Sequence, residues 1–341
     1  MNANNITVCF ISSVSEEVQN YLTENLKNLS NVKIIFPENT SEEHLEKIVP
    51  DAEVLIGWRP SKSILNHATN IKVFINPGAG VNHLLDLFIG LNKTRKISLI
   101  NGHGNSYLVA QHAVALLLTL MNKTVPHHNW MKKGRWRTGD DDASSIPLRF
   151  REVGLLGYGA INQKVHRFLS GFDVKFHILR NNWNKQKDDL PTLAKRYKNN
   201  QLYEFLKEID ILIIAVPVTS LTSGLIKAKE ISLLGPNGLI VNVARGDIIN
   251  QKDLYNALKN RIISGAAIDV WYDYHPNPDK NGVKRPYKFP FHTLDNIILS
   301  PHRGYSPFSD LLRWNEVVEN ITRMAKGRER LINVVSFEEE Y

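Results

Sequence analysis

Apolar and polar positions fall in alternating blocks along most of this chain. Residues 6–11 form a continuous apolar run of strand length, and Val18, Tyr21, Leu22, Leu26 and Leu29 follow near helical spacing. Residues 32–36, closed by Pro37, read as a second strand. Residues 40–48 read as a helix, 54–57 as a strand, 62–67 as a short helix, and 71–75 as a strand stopping at Asn76-Pro77-Gly78-Ala79-Gly80. Unbroken apolar strands alternating with helices predict a parallel sheet covered on both faces. The rhythm breaks at Asn101-Gly102-His103-Gly104-Asn105-Ser106. Residues 107–122 follow, apolar on nearly every side, which predicts a helix buried on more than one face and packed between domains or subunits. Residues 126–147 are polar, with Trp130, Trp136 and the acidic run Asp140-Asp141-Asp142, and read as a helix and a surface loop.

A second strand–helix series starts at Arg151. A strand enters a glycine turn, residues 160–169 are helical, and residues 174–179 are a strand. The charged stretch 185–200 reads partly as loop. Residues 202–206 are helical, and 211–216 are a buried strand halted by Pro217. Further strands are expected at 239–243, 263–268 and 297–299, with a helix at 251–258. An amphipathic helix at 309–326 ends at Gly327, and the tail 331–335 is apolar enough to dock again, on the first domain. No internal sequence repeat is visible.

At 341 residues the chain accommodates two domains, and its 43% hydrophobic content is ordinary for a globular protein. No apolar run has the length of a membrane span; residues 113–121 are too short. The first five residues carry no basic region and lead straight into a strand, so no signal peptide is expected. The lone Cys9 has no internal disulfide partner and lies in an apparent core strand, which fits a reducing, cytoplasmic setting. The net charge of +8 is spread along the chain; its one cluster, Arg323, Lys326, Arg328 and Arg330, reads as a solvated helix end. Neither a nucleic-acid nor a membrane partner is expected, whereas an acidic small substrate or a phosphorylated cofactor suits a mildly positive protein. No His or carboxylate pair forces a metal site, and His127-His128 reads as surface.

The stretch Val153-Gly154-Leu155-Leu156-Gly157-Tyr158-Gly159-Ala160-Ile161-Asn162 is the centre of the chain, although a glycine turn between any strand and helix looks similar and the motif alone is a weak signal. A strand, a tight glycine turn and a helix leave bare amides beside a positive helix end, which suits a pyrophosphate. Asn162 stands where the third glycine of Gly-x-Gly-x-x-Gly normally lets helix and strand approach, so a slightly relaxed packing is expected.

Several further stretches, together with this turn, resemble the D-2-hydroxyacid dehydrogenase family. They are Gly78-Ala79-Gly80-Val81-Asn82-His83-Leu84, Val109-Ala110-Gln111-His112-Ala113, Val216-Pro217-Val218-Thr219, Val241-Asn242-Val243-Ala244-Arg245-Gly246, Ala266-Ala267-Ile268-Asp269-Val270 and Leu299-Ser300-Pro301-His302. They occur in the family's order over nearly the whole chain. Trp58-Arg59-Pro60 looks most like the glyoxylate/hydroxypyruvate reductase branch. The resemblance implies hydride transfer between NAD(P) and a small 2-keto or 2-hydroxy acid, and an α/β fold of two Rossmann-like or flavodoxin-like domains with parallel sheets and a cleft between them. It further implies a discontinuous substrate domain (residues 1–103 and 304–341), a dinucleotide-binding domain (104–303) and a homodimer built around the long helix. By the same resemblance Gly157, Gly159, Ala160, Ile161, Arg180, Asn181, Val216, Pro217, Thr222, Val243 and Ala244 face the cofactor, with Asp269 on its nicotinamide side. The family usually places an Asp at the end of the second strand for the ribose hydroxyls; here Arg180 stands there. An arginine cannot accept from hydroxyls but pairs with a 2′-phosphate, so NADP(H) is expected over NAD(H), with Lys185 and Lys187 nearby.

Reducing a 2-keto acid needs an anchored carboxylate, a polarised carbonyl, a proton and a nearby hydride. Arg245 sits at a strand's C-terminal end, where open α/β sheets bind ligands, and its guanidinium grips carboxylate and keto oxygens. His302 follows another strand end and serves as general acid. Gly78, Ala79, Gly80 and Val81 offer amides to the carboxylate, and Trp58 forms a pocket wall. One departure is serious. The family's His partner is a Glu in Asp-Val-Phe-x-x-Glu-Pro, whereas this chain reads Asp269-Val270-Trp271-Tyr272-Asp273-Tyr274-His275-Pro276. Without that Glu, His302 is expected near the unperturbed pKa of about 6.5. Asp273 substitutes, or the enzyme works best at mildly acid pH, or catalysis is weak. The last outcome would make the chain a dinucleotide-binding regulator or sensor on the same fold. The 78–81 loop does not look like the formate dehydrogenase branch.

Overall fold

Each of the two strand–helix series closes into a parallel sheet of its own. The computed structural model describes residues 5–137, 143–183, 189–328 and 330–341; Asp140, Asp141, Asp142, Lys185 and Lys187 lie outside the described residues. The chain divides into two compact units, Met1–Asn105 with Pro307–Tyr341, and Ser106–Ser306.

The first unit runs β1 (Ile6–Phe10), α1 (Glu16–Leu26), β2 (Val32–Ile35), α2 (Glu42–Ile48), β3 (Val54–Ile56), α3 (Lys62–His67), β4 (Val73–Asn76), α4 (Asn82–Asn92) and β5 (Ser98–Asn101). The sheet order is β2-β1-β3-β4-β5. Three helices start on a serine. Ser15, Ser41 and Ser61 accept the amides of Val18, His44 and Ile64, which satisfies one orphan donor each. Leu45, Leu55, Phe74, Leu84, Phe88 and Leu99 fill one face of the sheet. Val8, Phe10, Leu22, Ile56 and Ile75 fill the other, closed by Trp314 and Ile321 of the C-terminal segment. The expected apolar tail does dock: Val335 N donates to Leu99 O (2.8 Å), and Asn101 N donates to Asn333 O (3.1 Å). Helix α4 and strand β5 were not anticipated. No side chain caps α4, so its start carries no sequence mark.

The second unit runs α5 (Ser106–Met121), α6 (Thr124–Lys132), β6 (Glu152–Leu156), α7 (Ala160–Leu169), β7 (Lys175–Leu179), β8 (Ala194–Tyr197), α8 (Leu202–Lys207), β9 (Ile211–Ile214), α9 (Ala228–Ser232), β10 (Leu239–Asn242), α10 (Gln251–Lys259), β11 (Gly265–Ile268) and β12 (Ile297–Leu299). The order β12-β11-β10-β9-β6-β7-β8 reverses direction between β6 and β9, the switch point where such sheets take ligands. Strand β8 lies in the stretch expected partly as loop. It is an edge strand in which only Tyr197 is buried, so it never had to show apolar periodicity. The long helix α5 owes its apolar character to its own unit. Val109, Ala113, Leu117 and Leu120 pack against Val153, Leu155, Val241 and Ala267 of the sheet. No single described helix is long and apolar enough to cross a membrane.

One buried group makes this unit acid-sensitive. His166 of α7 is fully buried, with Nδ1 at 2.8 Å from the Tyr158 hydroxyl and Nε2 at 2.8 Å from Thr192 Oγ1. Burial lowers its pKa to about 4. Unfolded, the ring titrates near 6.5, so between those values the unfolded chain binds the extra proton and stability falls as pH drops. Linkage sets the loss at about 2–3 kcal/mol by the bottom of that window. Melting temperatures of wild type and His166→Gln, compared from pH 7 to 4.5, should show a steeper fall for wild type; parallel curves would remove His166 from the acid response.

Candidate active site

Strand β6 hands over to α7 through a turn that only glycine can make. Gly157 has φ +82°, and a Cβ there would stand 2.6 Å from Val216 Cγ1 and 2.8 Å from Ala215 O. Gly159, extended, caps α7 and has open space where a Cβ would project. The amides of Ala160 and Ile161 precede the first bond of the helix, Gln163 N to Gly159 O at 3.1 Å. Bare amides, a helix N-terminus and free space fit a dinucleotide pyrophosphate. Asn162, in place of the third glycine, is fully buried. Its Nδ2 reaches Gly157 O (2.7 Å), Leu156 O (3.2 Å) and Ile213 O (3.4 Å), so hydrogen bonds tie the turn to β6 and β9 where a glycine would leave only close contact.

At the end of β7, the Arg180 amide donates to Tyr197 O (3.2 Å) and its guanidinium lies 5.3 Å from the Trp183 ring. Arg196 of β8 approaches the same ring to 4.7 Å. Asn181 Oδ1 accepts from Asn199 Nδ2 at 3.0 Å. Beyond β9, Val216 and Pro217 are half-buried. Thr222 Oγ1 donates to Pro217 O and accepts the Thr219 amide (2.8 Å), closing that loop on itself. Val243 and Ala244 are buried at the end of β10.

Arg245 follows with an extended backbone, φ −148° and ψ 149°. Asn242 sets this corner: its Oδ1 accepts the Ala244 amide (3.0 Å) and its Nδ2 donates to Arg245 O (2.9 Å). His302, past β12, adopts φ +55°, a left-handed conformation unusual for a residue with a side chain. The rings of Tyr274 and Tyr305 meet its imidazole edge-to-face at 5.2 and 5.6 Å. Burial moves the His302 pKa down, Asp269 partly offsets this, and Arg245 adds to it. Arg245 and His302 thus follow β10 and β12, with Asp269 at the end of β11, the strand between them.

Asp269 is itself almost completely buried. Burial alone would raise its pKa; hydrogen bonds from His112, Ser300 and the amides of Arg303 and Gly304 outweigh that and hold the carboxyl below its ordinary value. Asp273 is not brought to His302. It is exposed, and its Oδ1 accepts the His275 amide two residues on (2.9 Å), a local turn. Among the described residues no carboxylate hydrogen-bonds the His302 ring. The expectation that its pKa stays near the unperturbed value is corrected too, because burial dominates and lowers it. Tyr274, an aromatic that sequence reasoning considered only as a candidate pocket lining, is the ring beside His302. Counting from Asp269, it occupies the sixth place of Asp-Val-Phe-x-x-Glu-Pro, the glutamate's own position, and it touches the histidine.

The first unit carries its own candidate cradle. Asn76 Nδ2 donates to Gly78 O and Gly80 O (3.2 Å for the second), Asn101 Nδ2 to Ala79 O (3.1 Å), and Gly102 N to Gly78 O (3.1 Å). The carbonyls are thus tied down from behind, while the amides of Gly78, Ala79, Gly80 and Val81 donate to no described residue. Trp58 covers Gly78 so closely that a Cβ there would stand 2.5 Å from its ring. The indole is 38% exposed, and its backbone carbonyl lies 2.8 Å from His83 Nε2.

Residues 114–304, more than half of the chain, match the model of the D-isomer specific 2-hydroxyacid dehydrogenase, NAD binding domain. Glyoxylate reductase of Pyrococcus furiosus is 31% identical over 226 residues, 64% of this chain and 62% of that protein. D-3-phosphoglycerate dehydrogenase of Archaeoglobus fulgidus is 27% identical over 325 residues, 92% of this chain and 56% of that protein. The chain thus spans between about half and two thirds of the length of the first curated relatives it matches. Among solved structures, a D-isomer specific 2-hydroxyacid dehydrogenase from Xanthobacter autotrophicus, in complex with NADPH, superposes with a TM-score of 0.77 at 21% identity, covering 99% of this chain and 100% of that one. An NADPH-dependent glyoxylate/hydroxypyruvate reductase from Sinorhizobium meliloti gives 0.77 at 21%, covering 98% and 100%. At such identity these likenesses speak for the fold. With the family model spanning the glycine turn, the Arg245 corner and the His302 turn, the chain belongs to the D-isomer specific 2-hydroxyacid dehydrogenase family.

Proposed function

We propose that this protein is a 2-ketoacid reductase that prefers NADP(H) and acts on small substrates of the glyoxylate or hydroxypyruvate kind. The observation that carries the reading is the placement of Arg245, Asp269 and His302 just past the ends of β10, β11 and β12, three consecutive strands of the second sheet. Arg245 pairs with the substrate's carboxylate and keto oxygen and draws electron density from the carbonyl carbon. His302, as imidazolium, gives its proton to the oxygen as it becomes an alkoxide, so the keto acid becomes a hydroxy acid. The bound dinucleotide supplies the hydride. The amides of Gly78, Ala79, Gly80 and Val81, with Trp58 beside them, are the first unit's candidate for binding a carboxylate. Glyoxylate reductases among the relatives, and an NADPH-dependent enzyme of that activity among the structural neighbours, support the substrate class. A homodimer is part of the same proposal.

The test is loss of NADPH absorbance with glyoxylate, hydroxypyruvate, pyruvate and bulkier 2-keto acids, repeated with His302→Ala. Turnover with any of them that vanishes in the variant supports the enzyme. Tight NADPH binding without turnover supports the alternative, a dinucleotide-binding sensor, which the absence of the family's Glu from the segment after Asp269 favours. For cofactor choice, Arg180→Ala should weaken NADPH about 10- to 100-fold, the worth of one or two charge-assisted hydrogen bonds, and leave NADH unchanged. Fluorescence titration of both cofactors reads this; equal losses for the two would detach Arg180 from the 2′-phosphate.

A further inference from the structure

We propose that His112 of α5 is a positioning residue for His302, acting with Ser300 to fix the Asp269 carboxylate around which the His302 turn is wrapped. The proposal rests on the functional reading above for the role of His302, and on the following geometry for everything else. Asp269 Oδ1 accepts from Ser300 Oγ and from the Arg303 amide (2.7 Å), and Oδ2 accepts from the Gly304 amide (2.9 Å). One buried carboxylate therefore takes hydrogen bonds from both sides of His302, and the left-handed backbone at His302 is the bend this wrapping requires.

His112 closes the arrangement from outside the turn. Its Nε2 lies 2.9 Å from Ser300 Oγ and 3.3 Å from Asp269 Oδ1. The donor bookkeeping fixes its tautomer. An ionised carboxylate only accepts, so the Ser300 hydroxyl spends its proton on Asp269 and is left to accept. His112 must then carry its hydrogen on Nε2 and share it between the hydroxyl and the carboxylate. A neutral ring is sufficient. The helix also presses on the turn: a Cβ at Gly304 would stand 2.9 Å from Asp269 Oδ2, 3.5 Å from His112 Cδ2 and 3.6 Å from Val109 Cγ1. Any side chain there would push the turn off both the carboxylate and α5.

The consequence concerns the charge that faces His302. The groups bearing on it are the Asp269 carboxylate, the Arg245 guanidinium and the rings of Tyr274 and Tyr305. Asp269 is the only negative charge among them, so a device that holds Asp269 still also holds the proton affinity of His302.

The test uses the full chain with His112→Ala and His112→Gln, the latter keeping an N–H donor at similar reach. Steady-state kinetics, NADPH titration and the NMR titration of the His302 ring are read on each. Expected for alanine are a roughly tenfold loss of kcat, KM and NADPH affinity within twofold of wild type, and a lower His302 midpoint as the carboxylate drifts away. Glutamine should restore both. Should the alanine variant not fold, Ser300→Ala is expected to move kcat and the midpoint in the same directions. Unchanged kinetics, or a kcat loss shared equally by alanine and glutamine with the midpoint unmoved, would overturn the proposal. The NMR midpoint needs no turnover, so an inactive wild type defeats the functional reading while leaving the positioning role open to judgement.

Discussion

Arg245→Ala is expected to reduce kcat/KM for a 2-keto acid by about three orders of magnitude, because it removes both an anchor and an electrophile. A charge-assisted hydrogen bond contributes about 1.5–3 kcal/mol, and losing a donor aimed at developing negative charge costs about 10²–10³ in kcat. Arg245 stands at the end of β10, its backbone fixed by Asn242, so the guanidinium is offered from a rigid corner. Arg245→Lys keeps the charge but not the planar fork, and should recover only part of the loss. Steady-state kinetics on glyoxylate or hydroxypyruvate measure both variants. A loss below tenfold for alanine would show that the carboxylate is gripped elsewhere.

The second large effect belongs to His302. His302→Asn should cut kcat by about 10²–10⁴, the usual worth of a positioned general acid. The pH profile follows from the direction of its shift. Burial lowers its pKa, so the imidazolium that donates the proton is populated only below a midpoint under 6.5. Reduction should be level at acid pH and fall tenfold per unit above that midpoint, and oxidation of the hydroxy acid should rise across the same range. Tyr274→Glu places a carboxylate where the family keeps one and should move the midpoint up, because a neighbouring negative charge favours the protonated ring. Asp273→Asn should leave the profile alone, since Asp273 is exposed and its Oδ1 accepts from the His275 amide, not from His302. A reduction profile that is flat from pH 5 to 8 would exclude His302 as the proton donor.

The parts of the fold that could be read from the chain are those whose signal is local. The strand–turn–helix at Gly157 needs a left-handed glycine and an apolar strand beside it, and both are visible in ten consecutive residues. Arg245 and His302 stood out because each comes three residues after a short apolar strand, β10 or β12. Strand β8 was not, since an edge strand with one buried residue has no reason to alternate. Asn162 was read as a missing glycine, yet its Nδ2 reaches three carbonyl oxygens, one of them on β9, a set visible only once β9 is beside it. The partner of His302 was sought one residue too early, at Asp273. The clamp on Asp269 joins α5 to a turn 188 positions away in the chain, a pairing no window along the sequence contains.

The last residues of the chain also decide what the first sheet shows to its surroundings. Strand β5 is its outermost strand, and the segment around Val334 runs antiparallel to it, taking up Leu99 O and Asn101 N. The molecule thereby occupies with its own terminus a ladder that strands of other chains could otherwise join. Proteolytic clipping ahead of Asn333 would bare that ladder and turn a self-sealed border into a template for intermolecular growth.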